Sequence, residues 1–317
     1  MAFKKCDYFS DEFSEIMHSY LSQYENPRTA AEKWNIVCML CEYAGKDFLD
    51  LEQNDVDMFF YDMDRKVASG ELSASTYQGR KSVYATLSVY IRQNYPSMDI
   101  GDLFSRRPAH QVSGNIKPDL IPSISDVDRL LDVARDDAMY YLIFSLAFRV
   151  AIATNEILHL RLQNVQKIDD SYCIHFPALR QRKERVMLLP KDVEKLLLSY
   201  IDDITAKGLI DDEGHLFYNT RGTVLSVCVM GRRISKYLRL SGLENKYTLK
   251  DLRSRSILDM VYAACSNESE MDDRMATVSD YSGIRDLRLK SYISAAHLVH
   301  ENPANWTNIT VAVPGGV

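Results

Sequence analysis

A mainly helical chain with a small β component, divided into two domains, is the fold the sequence predicts. Three observations predict it. Apolar residues recur near the helical period over most of the chain, two short β-rich runs lie together past its midpoint, and a loop-dense stretch separates a first group of helices from the rest. At 317 residues the chain exceeds the usual single-domain size, and an apolar fraction of 46% is ample for two cores.

To about Pro96 the chain is a string of helical patterns: DEFSEIMHSYLSQY, RTAAEKWNIVCMLCEYAG, NDVDMFFYDMDRKVAS and SASTYQGRKSVYATLSVYIRQN, with Gly45 and Gly70 as stop signals. From Tyr95 to Pro122 the periodicity fails among prolines, glycines and polar residues, which suits a linker. The second half opens with SISDVDRLLDVARDD, where Ser123 or Ser125 caps a helix, and continues with AMYYLIFSLAFRVAIA. After NEILHLRLQNV come SYCIHFPAL and ERVMLLP, a hairpin around the basic turn RQRK. DVEKLLLSYIDDIT, VLSVCVMGRRISKYLRLSG, the TLKDLR helix and IRDLRLKSYISAAHLV complete the helical patterns. No internal repeat or low-complexity tract occurs.

The N-terminus has two lysines but no apolar h-region, and no later run reaches the roughly 18 apolar residues of a membrane span, so a cytoplasmic protein is expected. The six cysteines are scattered; CMLC lies in an apolar helical stretch with no second pair to complete a zinc site, so reduced core thiols and no metal or cofactor are expected.

A net charge of −6 argues at first against a nucleic-acid partner. Its distribution argues the other way. Residues 178–191 hold Arg180, Arg182, Lys183, Arg185 and Lys191 against Glu184 alone, and residues 231–255 hold Arg232, Arg233, Lys236, Arg239, Lys246, Lys250, Arg253 and Arg255 against Glu244 and Asp251. SASTYQGRKSVYATLSVYIRQ carries Arg80, Lys81 and Arg92 with no acid, and Ser73, Ser75 and Thr76 at its start are small enough to approach a DNA backbone. In YTLKDLR, Thr248 and Asp251 form a capping-box-like pair, which puts Lys250 and Arg253 on the first turns of a helix, where a phosphate is well placed. A face can be basic while the molecule is acidic.

The order of these segments resembles the tyrosine recombinase, or phage integrase, family over nearly the whole chain. LSASTYQGRKSVYATLSVYI resembles the last long helix of the family's helical core-binding domain, and IPSISDVDRLLDVA the opening of its catalytic domain. NEILHLRLQNV resembles the segment after the first catalytic arginine, and TLKDLR matches the T-P-H-D-L-R box with two substitutions. The resemblance implies a core-binding domain over 1–107, a linker over 108–122 and an α/β catalytic-fold domain over 123–317, closing as a C-shaped clamp on duplex DNA. In the family a tyrosine hydroxyl attacks a phosphodiester, two arginines stabilise the non-bridging oxygens, a hairpin lysine protonates the leaving oxygen, and two further positions handle protons.

Carried over, the resemblance makes Tyr292 the nucleophile and retains Arg253. The first arginine falls at Ala153, with Arg149 a helical turn too early and Arg161 part of the later LR pair. The hairpin lysine falls near Arg180, with Lys183 available to a shifted turn; the box histidine is Lys250; the next histidine falls at Gly283, or at Tyr281 with a two-residue insertion. An arginine finger is worth about 10³–10⁵ in phosphoryl-transfer rate, so strand cleavage is not expected.

The expected function is sequence-selective binding of double-stranded DNA without cleavage, as a phage or mobile-element regulator or an architectural accessory, similar to recombinase-fold prophage repressors. The DNA contacts are expected from Arg80, Lys81, Arg180, Arg182, Lys183, Arg185, Arg232, Arg233, Lys250 and Arg253. A second reading is an active integrase using Tyr292 with Arg253, Lys250 and Arg180 or Lys183. A third is a protein–protein module in which SYISAAHLV packs on a neighbouring subunit; a homo-oligomer on DNA also suits the resemblance.

Overall fold

The structure is a computed structural model that describes residues 3, 5–98, 100–105, 116, 120–178, 184–244, 246–265 and 270–300, except for a few side chains in the last helix. Contacts divide the chain into two compact units, residues 1–113 and 114–317.

Among the described residues of the first unit are four α-helices: α1 (Asp11–Leu21), α2 (Pro27–Ala44), α3 (Gln53–Ala68) and α4 (Ala74–Asn94). Each begins where a short polar side chain can replace the missing backbone partner. Ser10 accepts from Phe13 N, Asn26 from Arg28 N and Ser73 from Thr76 N, while Asp55 reaches back to Glu52 N at 3.0 Å. Gly45 stops α2 at φ 66°, a left-handed conformation that costs a side-chain-bearing residue more. The core is aromatic: Phe13 stacks on Phe48, and Phe104, from the chain beyond α4, lies 5.6 Å from the Tyr84 ring.

In the second unit α5 (Ile124–Ala134) is capped by Ser123 rather than Ser125, through Asp126 N. Next comes α6 (Ala138–Val150), apolar on nearly every face and accordingly the buried centre of the unit. Helices α8 (Lys191–Ala206) and α10 (Leu249–Cys265) pack on it; α10 also carries α11 (Met271–Ser282) and α12 (Asp286–His300), and α9 (Val227–Leu240) lies against α5. A one-turn helix, α7 (Thr154–Leu158), leads to a three-stranded antiparallel sheet of β1 (Val165–Ile168), β2 (Ser171–Phe176) and β3 (Arg185–Leu188), with Ile168 opposite Ser171 and Phe176 opposite Arg185.

Two elements differ from the expectation. The sheet has a third strand, β1, turned into β2 by Asp169 at φ 51°; VQKI shows little alternation because three of its four residues are exposed. The acidic stretch after α10 continues into α11, which buries little beyond Val278, Tyr281 and Ser282. The SYISAAHLV helix turns Tyr292, Ala295, Ala296 and Val299 into the core of the second unit. All six cysteines are free, but Cys228 is exposed and Cys265 half-buried, so only four are core thiols. Among the described residues no helix is long and apolar enough to cross a membrane, and no cluster of metal-ligating side chains occurs.

Candidate phosphate site and nucleic-acid interface

Helix α10 begins as a capped helix should. Thr248 donates from both its backbone N–H and its hydroxyl to Asp251 Oδ2, each at 2.7 Å. Leu249 and Leu252 then face the core, which turns Lys250 to solvent. Arg253 turns inward and is half-buried. Its Nε donates to Ala151 O at 2.8 Å and its Nη2 to Ser282 O at 2.7 Å, tying α10 to the end of α6 and the end of α11. Arg255 is fully buried and donates to Asp259 and to Pro122 O. Of the three cations in this stretch, only Lys250 faces outward.

The chain that receives Arg253 contains Ala153. Its N–H donates to Glu156 Oε2 at 2.9 Å, and the same oxygen lies 2.6 Å from Nη2 of Arg185. Arg185 was expected among the exposed hairpin cations and is instead buried. On β3 burial alternates, so Arg185 shares the inward face with Met187 while Val186 and Leu188 face out. Its guanidinium lies over the Phe176 ring at 4.8 Å and occupies the space beside Gly283, where an added Cβ would stand 2.3 Å from Nη1. Arg180, Arg182 and Lys183 lie outside the described residues.

Gly283 ends α11 at φ 67°, itself exposed. Two residues earlier Tyr281 is buried and donates its hydroxyl to Leu188 O at 3.2 Å; burial pushes that phenol well up, against the opposing field of Arg185. Ala153, Arg253, Gly283 and Tyr281 therefore do converge, and the side chain that fills their midst comes from β3. Tyr292 is 3% exposed, with its hydroxyl 3.5 Å from Ser254 Oγ, the limit of a hydrogen bond. Arg149, the cation one turn before position 153, is held by a carboxylate of α8. It forms a two-armed pair with Asp192; burial opposes ionisation of that carboxyl, but the arginine's hydrogen bonds win and hold it below the usual range. Arg161 pairs with Glu213 at 2.5 Å.

Elsewhere the cations separate into paired and exposed groups. Arg233 turns toward Asp137, 3.6 Å away; Asp137 also accepts the Tyr237 hydroxyl at 2.6 Å, and burial with that carboxylate pushes Tyr237 up to about 12. Lys246 pairs with Asp126 at 3.0 Å. Arg232, Lys236 and Arg239 stand exposed along one face of α9, a helix without a single acid, and with Lys250 they have no carboxylate partner among the described residues. The i, i+4, i+7 spacing of that stripe was a readable signal, since such positions share one helical face. On α4, Arg80 and Lys81 are half-buried, and Ser73 and Thr76 bond one another in the cap, leaving Ser75 open.

No protein-family profile matches the chain, and no curated protein matches it. Solved structures do. The Tn1549 transposon integrase in complex with circular intermediate DNA aligns with a TM-score of 0.65 at 13% identity, over 90% of this chain and 98% of that one. A lambda integrase dimer bound to a COC′ core site aligns at 0.62 and 12% identity, over 93% and 96%. XerH site-specific recombinase bound to palindromic difH substrate aligns at 0.61 and 16% identity, over 94% and 91%. At such identities the likeness shows a shared fold, and it extends along nearly the whole chain.

Proposed function

We propose that this chain, whose fold is that of the tyrosine recombinases, binds double-stranded DNA sequence-selectively and does not cut it. The observation that carries this reading is the division of its cations. Arg253 and Arg185 are turned into the place where the resemblance puts the chemistry, and position 153 offers no cation at all. Meanwhile Arg232, Lys236, Arg239 and Lys250 are exposed without carboxylate partners. Exposed cations on an acid-free helix face suit phosphates, which fix position on a duplex without demanding chemistry. The burial of Tyr292 also supports binding over cleavage, because a nucleophile must reach phosphorus and this hydroxyl is covered. A chain that binds without cutting suits a regulator, such as a repressor in a phage or mobile element, or an architectural accessory.

The test is duplex binding across a salt series, comparing the wild type with a variant carrying Arg232→Gln, Lys236→Gln and Arg239→Gln. The wild type should bind with an affinity that falls steeply with salt. The variant's slope of log K on log salt should be shallower by about 0.9 for each phosphate contact removed. Wild-type affinity that ignores salt would reject a DNA partner; an unchanged slope in the variant would move the interface off α9.

A further inference from the structure

Helix α3 and the end of α2 carry an apolar patch that the fold leaves uncovered. Tyr43, Met58 and Tyr61 are 46%, 53% and 62% exposed. They are neighbours: the Tyr43 hydroxyl donates to Met58 O at 3.2 Å, and Tyr61 follows Met58 by three residues on the same helix. Tyrosine and methionine are side chains that protein interfaces collect. The segment that bears the patch is acidic, with seven carboxylates against three cations over residues 46–66. Two of those cations, Lys46 and Lys66, are already engaged within it, with Asp55 at 2.9 Å and Asp62 at 2.6 Å. Asp57, Tyr61 and Asp64 follow one another at i, i+4 and i+7 and so share one face of α3.

Such a face repels phosphates, and a two-fold contact with its own copy would set carboxylate on carboxylate, so its occupant must bring cations. The chain supplies a matching set. Arg80 and Lys81 of α4 are half-buried and Arg92 lies 3.9 Å from Asp102. On α9, by contrast, Arg232, Lys236 and Arg239 are exposed without carboxylate partners among the described residues, beside Leu240, itself 56% exposed. Their spacing is again i, i+4 and i+7. The two arginines thus stand as far apart along α9 as the two aspartates along α3, about 10 Å at 1.5 Å per residue. Guanidinium can meet carboxylate at both ends, and Lys236 adds a cation for the open ring of Tyr61. We propose that α3 of one copy of this chain docks on α9 of a second copy, covering Met58, Tyr61 and Leu240 between them. The contact is heterologous, so each pair leaves one uncovered α3 and one uncovered α9 and association propagates unless a ring closes. It goes beyond the DNA-binding reading and gives that reading a competitor, because it occupies the α9 cations.

The experiment is sedimentation velocity of the full chain without DNA, so the contact stands or falls apart from the DNA-binding reading. The wild type's weight-average sedimentation coefficient should rise with protein concentration at low salt and return to the single-chain value at about 1 M salt, where the screening length is about 3 Å. Asp57→Lys with Asp64→Lys should sediment as a single chain, and so should Arg232→Glu with Arg239→Glu, each shown folded by a thermal melt. Mixed, the two variants should associate again, because the unaltered α9 of the first meets the unaltered α3 of the second. A wild type that remains a single chain at every concentration would overturn the proposal. So would association that survives in either variant alone, or that fails to return on mixing. Should a charge-reversed variant fail to fold, Asp57→Asn with Asp64→Asn and Arg232→Gln with Arg239→Gln replace the two, each weakening association roughly tenfold; unchanged association would overturn the proposal.

Discussion

Replacing Gly283 by alanine tests where the Arg185 guanidinium sits. The added methyl would stand 2.3 Å from Nη1 and 3.1 Å from Cζ, and the glycine holds φ at 67°. The backbone term is that of a side chain in the left-handed region, about 1–2 kcal/mol. The steric term is larger, because the guanidinium must leave the carboxylate of Glu156, and separating a buried pair costs about 3–5 kcal/mol. Gly283→Ala should therefore cost about 4–7 kcal/mol in the wild type. In an Arg185→Met background, where the flexible thioether yields, only the backbone term of about 1–2 kcal/mol should remain. The coupling, about 3–5 kcal/mol, is read from urea unfolding of the four proteins by circular dichroism. Equal costs near 1–2 kcal/mol in both backgrounds would show that the guanidinium is not beside Gly283, and the account of the site would fall.

Asp126 is buried in the first turn of α5, accepting from the Tyr247 hydroxyl at 2.7 Å and from Lys246 at 3.0 Å, both just before α10, and from Arg129 on its own helix. Burial works against its ionisation, yet these donors hold the carboxyl well below the ordinary range. A depressed carboxyl contributes its stability in full above the unfolded value near 3.9 and loses it as pH falls through the folded value. Asp126→Asn should thus lower stability at neutral pH by about 1–3 kcal/mol and flatten its fall below about pH 4; an acid limb as steep as the wild type's would reject this. Tyr292→Phe should cost under about 1 kcal/mol, since its hydroxyl makes a contact at the distance limit, whereas Tyr292→Ala should cost about 3–5 kcal/mol; comparable losses in thermal melts would mean the hydroxyl matters more than the ring. Lys250→Gln should reduce duplex affinity without changing the melting temperature, because the side chain is exposed; a lowered melting temperature would assign it a structural role.

Most helices were legible because their period and caps agree: Ser10, Asn26, Ser73 and Thr248 all stand where the patterns begin. Elements held by tertiary packing were not, as β1 and α11 show, since each buries too little to write a period into the chain. At the site the direction of each side chain was not legible in the sequence. Lys250 and Arg253 are three residues apart on one helix, yet one faces solvent and the other two carbonyls, because Ala151 and Ser282 arrive from elsewhere in the chain. Arg185 is the sharper case. In ERVMLLP the fold buries the arginine with Met187, against Glu156 and beside Gly283, and exposes Val186 and Leu188. The local pattern would have favoured the reverse.

Binding without cutting is tested most directly on a nicked suicide duplex that carries a sequence the protein selects, incubated with wild type and with Tyr292→Phe and resolved on a denaturing gel. The absence of a cation at position 153 and the cover over Tyr292 predict no covalent protein–DNA band from either, with equal retardation of the duplex on a native gel. A covalent band from the wild type that vanishes with Tyr292→Phe would contradict the account and make this chain an active recombinase.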